Sequence, residues 1–245
     1  MHRAFRTLPW HSVRFPAVVL AVAAWLAAFA FGYGLLADGI AGALAFWREH
    51  LGLAWEIRHV PYPVPLLGSM DLLQLEVPRP PPTPADWLAN LILMTGAFAA
   101  SLRLPPQGLP LAYLLRLVVG LHGVSLAYFA VAAEHFPYGI GDHTGSLYRF
   151  TMVLVALLPA MLAGTFYVIE PSWPRRLAAT LLMVGYFALT LPFKLLAHAA
   201  IIDLLSPLAM PVLYLVFGPP LDILLLVALY SWAITWEKGG QSRAA

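Results

Sequence analysis

Long apolar runs alternate with short polar breaks rich in proline and glycine along most of the chain. The first uncharged run, residues 15–36, is 22 residues long, and a helix needs about 20 residues to cross a bilayer. Further runs at 86–101, 111–133, 147–169, 177–200 and 219–236 predict five more crossings. LRLPPQGLP turns the chain between the second and third runs, and EPSWPRR between the fourth and fifth. The last run opens on Pro219 and Pro220, which suit a helix's first turn because its backbone N–H groups are unpaired in any case. Residues 201–218 are apolar but interrupted by Pro207 and Pro211. An interfacial or re-entrant segment is expected there, with a seventh crossing as the alternative. The basic start, MHRAFRTLPWHSVRF, precedes a run long enough to span, so it reads as the flank of a retained crossing.

A different pattern holds between the first two crossings, over residues 37–85. DGIAGALAFWREHLG places Ile40, Leu44, Trp47 and Leu51 at helical spacing, which predicts an amphipathic helix lying in the membrane interface. Two alternating runs follow, WEIRHV and LLQLEV, joined by PYPVPLLGSMD. Period-two alternation bounded by proline and glycine predicts a small β-hairpin, and RPPPTP gives a stiff extended lead into the second crossing.

Composition makes the bilayer a requirement. Of 245 residues, 61% are hydrophobic and 11% charged, with a mean hydropathy of +0.78. Soluble domains carry about a quarter charged residues. The expected fold is therefore an all-α integral membrane protein: about six transmembrane helices, a small extracytoplasmic β-hairpin and an amphipathic interfacial helix, in one polytopic domain. A net charge of +2 gives no basic patch for nucleic acid. With no cysteine, disulfides, thiolate metal sites and cysteine nucleophiles are excluded. Orientation follows the basic residues. A cytoplasmic N-terminus puts Arg3, Arg6, Arg14, Arg103, Arg116, Arg175, Arg176, Lys238 and Arg243 inside, against Arg48, Arg58, Arg79 and Arg149 outside.

Three groups of residues carry candidate chemistry. AAEHFPYGIGDHTGSLYRF, between the third and fourth crossings, holds Glu134, His135, Asp142 and His143. Two histidines and two acids are suitable ligands for a divalent metal. The bland alternative is a glycine-rich solvated turn in which Asp142 or Thr144 caps the fourth helix. His122, within GLHGVS near mid-crossing, either ligates a haem or chlorophyll or hydrogen-bonds a neighbouring helix at a tight contact. In the fifth crossing Lys194 and His198 share one face, with Asp203 just beyond. They could line a polar membrane pocket together with Asp222 and the outer histidines, His198 serving as a second candidate cofactor ligand. Alternatively Lys194 pairs with Asp203 or Asp222 and ties two helices together. No GxSxG turn, Walker A loop, HExxH or dinucleotide fingerprint occurs, so no complete catalytic set is present.

The order of features over residues 1–170 resembles the exosortase H-associated membrane proteins, small partners of a bacterial sorting transpeptidase. The resemblance rests on the basic start, the single crossing, the amphipathic stretch and a strand pair ending LQLEVPRPP. It continues through a crossing that begins near Asn90, then LAYLLRLVVGLHGVSL, and then LYRFTMVLVALLPAML with its mid-helix proline. The stretch after Pro171 departs from that pattern. The resemblance implies an accessory role in a bacterial inner membrane, with a sorting enzyme or another membrane protein as partner, and transfers no functional residue. The rival expectations are a respiratory or photosynthetic subunit holding haem or chlorophyll, and a small lipid or anion carrier that uses Lys194 and His198.

Overall fold

The computed structural model describes residues 14–64, 68–136, 138–169 and 173–241. Arg3, Arg6, Arg243, Pro137, the hairpin loop at 65–67 and part of the expected turn at 170–172 lie outside these residues. Six stretches are long and apolar enough to cross a membrane: Pro16–His50, Pro84–Arg103, Pro106–His135, Ile140–Ala163, Trp173–Leu205 and Pro207–Thr235. The chain is a polytopic membrane protein whose only sheet among the described residues has two strands. Its most exposed apolar side chains, such as Phe31, Leu35, Val131 and Leu189, face outward where lipid replaces water as solvent.

Helix α1, Arg14–His50, is continuous over 37 residues, about 55 Å at 1.5 Å per residue. The amphipathic stretch is helical, as its spacing predicts, but it continues the first crossing and is not a separate element in the interface. The reason lies in the stripe Tyr33, Ala37, Ile40 and Leu44, buried at 7%, 4%, 4% and 0% exposure. These residues recur at helical spacing and keep one face engaged past the end of the apolar run, while Leu51 is exposed.

That stripe packs against the hairpin formed by β1, Glu56–Val64, and β2, Gly68–Glu76. The strands are antiparallel with Ile57 opposite Leu75 and Pro61 opposite Asp71, so they extend further into the connecting segment than the alternation predicted. Leu73 and Leu75 are buried to 0% and 1% exposure, and burying each side chain stabilises by roughly 1.5–3 kcal/mol. Helix α2 (Pro84–Arg103) then begins with a capping box. The Thr83 hydroxyl accepts from the Asp86 N–H, the Asp86 carboxylate accepts from the Thr83 N–H, and Pro84 occupies the first turn. Helix α3 spans Leu109–Ala132, α4 Ile140–Ile169 and α5 Trp173–Leu205.

Helix α4 starts earlier than the apolar pattern suggested, because IGDHTGS is helical. Its glycines let β2 approach: a Cβ on Gly141 would fall 2.3 Å from Glu76 Oε1, and one on Gly145 would fall 2.9 Å from the Gln74 side chain. Between them the Thr144 hydroxyl accepts from the Leu75 N–H at 2.9 Å and faces the Leu75 carbonyl at 3.2 Å. The Tyr33 hydroxyl donates to the Asp71 carbonyl. The outer edge of β2 is thus closed by side chains of α4 and α1. Leu75 points its backbone groups away from β1, so its opposite residue Ile57, and with it His59, Pro61 and Pro63, must point theirs away from β2. Both prolines therefore cost no ladder hydrogen bond, and they blunt the open edge of β1.

The sixth crossing corrects the expectation for residues 201–218. Residues 201–205 complete α5, and Ser206 turns the chain at a φ of 70°. A 3₁₀ turn (Pro207–Ala209), a single helical turn α6 (Met210–Val212) and a π-helical turn (Leu213–Phe217) follow. After Gly218, helix α7 runs Pro219–Gln241. By length and composition residues 207–218 join α7 in one candidate crossing, Pro207–Thr235, and add no seventh span; Leu208, Met210 and Leu213 are buried. Helices α4 and α5 pack together and each touches α1 and α7, while α2 and α3 pair beside them and meet the rest through α5 and the 207–212 segment.

Candidate functional site, a polar core across a broken helix

The polar residues of α4 and α5 converge beside the break in the sixth crossing. Lys194 and His198 lie one turn apart on α5 and reach opposite sides of Gly218. The Lys194 ammonium meets the Asp222 carboxylate, in the first turn of α7, at 2.5 Å, with side chains 14% and 6% exposed. The Thr151 hydroxyl of α4 donates to the same carboxylate oxygen at 3.2 Å. Asp222 also gains from the positive end of its helix dipole. On the other side of the break, the His198 ring meets the backbone carbonyl of Phe217.

His198 Nδ1 lies 3.1 Å from His143 Nε2, and both residues are buried. The ring centroids are 5.4 Å apart and the planes 32° from parallel. The difference between the two distances is about one ring's width, so both nitrogens lie near the line joining the ring centres. Their lone-pair directions point straight at each other, as in a hydrogen bond, and do not converge on a shared ion. A consistent proton arrangement follows. One N–H lies between the facing nitrogens, so one ring donates and the other accepts. Tyr214 closes the cluster, its ring centroid 6.0 Å from that of His143.

The break requires glycine. A Cβ on Gly218 would sit 2.5 Å from the Tyr214 carbonyl oxygen and 3.0 Å from Leu147. Pro219 and Pro220 have no N–H to bond back across it.

A second polar contact joins α2, α3 and the end of α5. Asn90, fully buried, donates to the Asp86 and Leu205 carbonyls at 2.7 Å each. Its Oδ1 faces His122 Nε2 at 3.0 Å. Asn90 thus satisfies a carbonyl that the C-terminus of α5 leaves without a helical partner. Ser125 does the same for Leu208 at 2.8 Å.

Several expectations are corrected by this geometry. Glu134, His135, Asp142 and His143 do not assemble into a metal site, and no group of three ligating residues occurs among the described residues. His135 and Glu134 are exposed and pair loosely with each other at 3.8 Å. Asp142 accepts the Gly139 N–H at the start of α4, the capping role foreseen for it, while Thr144 grips β2. His122 presents Nε2 to Asn90 and His198 presents Nδ1 to His143. Asp203 stands apart from the Lys194 pair. It accepts from Trp55 Nε1 at 3.3 Å and lies 3.9 Å from Arg79, fastening the insert to α5. Lys194 takes the pairing with Asp222, one of the two partners foreseen for it. Asn90, Thr151 and Tyr214 were missed as site residues, because a single amide, hydroxyl or phenol in an apolar run carries no periodic signal.

The chain matches no family model, no curated protein and no solved structure.

Proposed function

We propose that this protein is a non-enzymatic accessory subunit of a bacterial inner-membrane complex, N-terminus inward, which holds its partner through the hairpin-bearing insert. The supporting observation is how the insert is held. Thr144, Tyr33 and Asp203, from three different helices, bond to Leu75, Asp71 and Trp55. The far surface of the hairpin carries the exposed pair Arg58 and Glu56, 2.9 Å apart. An insert fixed in this way presents a preorganised surface, which lowers the ordering cost of binding. The polar side chains Lys194, Asp222, Thr151, His143 and His198, by contrast, are bonded to one another. The resemblance to exosortase H-associated proteins points to a protein-sorting enzyme as the partner.

The test is mild-detergent co-purification from the native host, with quantitative mass spectrometry, of the parent chain and of Glu56→Lys/Arg58→Glu. The reading requires a membrane-embedded sorting transpeptidase to be enriched by the parent and lost with the charge-swapped hairpin. Enrichment of electron-transfer subunits, or a partner that survives the swap, overturns it. So does a Soret absorption band that disappears in His122→Ala.

A further inference from the structure

The sixth crossing is unusual in having no continuous backbone ladder through its centre. Pro207 and Pro211 remove donors from its first half, the 213–217 turn is π-helical, and Pro219 and Pro220 cannot bond back past Gly218. A π-helical turn inside a helix is frequent at functional sites. Here Lys194 of α5 and Thr151 of α4 hold the second half at Asp222, while the His143–His198 pair borders the first half at Tyr214.

We propose that the His143–His198 pair is a proton-operated latch on this break: adding a proton to the pair releases segment 213–218 from α5. The argument is geometric. The two rings share one proton between facing nitrogens 3.1 Å apart, an arrangement that is complete when both are neutral. A second proton on the accepting nitrogen sets two N–H groups against each other. A proton on the far nitrogen of the donor ring instead leaves an imidazolium in a buried site.

Either way the new charge has no counter-ion. The groups around the pair are Lys194 on α5, Asp222 on α7 and Tyr214 on the 213–217 turn. Tyr148 lies further along α4, with Tyr33 and Asp71 beyond it, and Glu76 of β2 abuts Gly141. The Asp222 carboxylate is already bonded to Lys194 and Thr151, and the Lys194 ammonium repels the added charge. Water must reach the pair to solvate it. The weakest wall is the broken segment, because its backbone ladder is already interrupted. Histidine is the side chain whose ordinary titration falls in the range cells use for such switches.

The chain has no cysteine, so single reporters can be introduced cleanly. Leu213→Cys places a thiol at a buried position of the segment, Leu51→Cys at an exposed one, and Met183→Cys in the distant buried core. N-ethylmaleimide labelling of full-length protein in lipid nanodiscs is measured near pH 7.5 and near pH 5. Each rate is divided by that of Leu51→Cys, to cancel thiol ionisation. The latch requires the Leu213→Cys ratio to rise by about tenfold or more on acidification, the Met183→Cys ratio to stay level, and the rise to vanish in His143→Gln or His198→Gln. An unchanged ratio overturns the proposal, as does an equal rise at Met183→Cys or a rise that persists in both histidine variants. If these substitutions impair folding, hydrogen exchange of amides 213–218 in the unsubstituted chain, corrected for intrinsic rates, decides it. Exchange that does not accelerate at low pH, or that accelerates equally throughout α5, refutes the latch.

Discussion

Replacing Asp222 by asparagine tests whether the Lys194 pair holds α7 against α5. The substitution keeps the shape of the side chain but leaves the ammonium without its counter-charge. At 2.5 Å and an effective dielectric of about 20, the attraction lost is roughly 6–7 kcal/mol before desolvation is subtracted. Because the side chains are only 14% and 6% exposed, water cannot readily take the place of the carboxylate. Breaking a buried pair from one side costs about 3–5 kcal/mol. The loss of the anion at the N-terminus of α7 adds up to ~2 kcal/mol. The pair's share alone corresponds to a fall in unfolding midpoint of about 6–20 °C for a chain of this size. The double substitution Lys194→Met/Asp222→Leu removes both charges together and should recover most of the loss, since a well-packed apolar pair often matches a buried ion pair. Equilibrium unfolding in mixed micelles, followed by tryptophan fluorescence, measures all the variants. A loss below about 1 kcal/mol for Asp222→Asn, or losses for Lys194→Met and Asp222→Leu that add within ~0.5 kcal/mol in the double, would refute a coupled buried pair.

Two further substitutions probe the supports on either side of this core. Thr144→Val leaves the Leu75 N–H and carbonyl buried without a partner, at a cost of about 1–3 kcal/mol. Hydrogen exchange at Leu75 should accelerate, Thr144→Ser should keep most of the protection, and equal protection in the valine variant would show that the hydroxyl does not hold β2. Asn90→Leu frees the Leu205 carbonyl and His122 together, a loss of about 1–2 kcal/mol by the scale of polar contacts between membrane helices. Unfolding measurements in which Asn90→Leu and His122→Leu effects simply add would show that the two side chains are not coupled.

How much of this architecture can be read in the chain depends on the range of the interaction that decides each part. The six crossings were legible because membrane insertion is decided by the summed apolarity of about 20 neighbouring residues. The hairpin was legible because strand alternation and its proline boundaries are equally local. Their joints were not. Residues 37–50 continue α1 because Ile40 and Leu44 bury against Leu73 and Leu75, a contact between segments about 30 residues apart along the chain. Pro207, Pro211 and the Pro219–Pro220 pair announce a broken helix. What the broken segment packs against, such as Ser125 at the Leu208 carbonyl, is a contact that no local pattern reveals.

The same distinction explains the candidate site. Helical spacing puts Lys194 and His198 on one face, so their joint action was readable. What each one meets is set by the rotation and height of α4 and α7 against α5. Those are fixed in turn by small features, such as Gly141 and Gly145 admitting β2 and Gly218 admitting the Tyr214 carbonyl. GIGDHTGS reads as a polar turn because it is rich in glycine and charge. In the fold the glycines make a flat helix face for a strand, Asp142 caps the helix, and His143 points inward. Of the histidines flanking that turn, His135 remains at the surface and only His143 reaches His198. A helix that turned the other face inward would bury Asp142 without a partner, so the cap at Gly139 and the histidine pair jointly select the observed orientation.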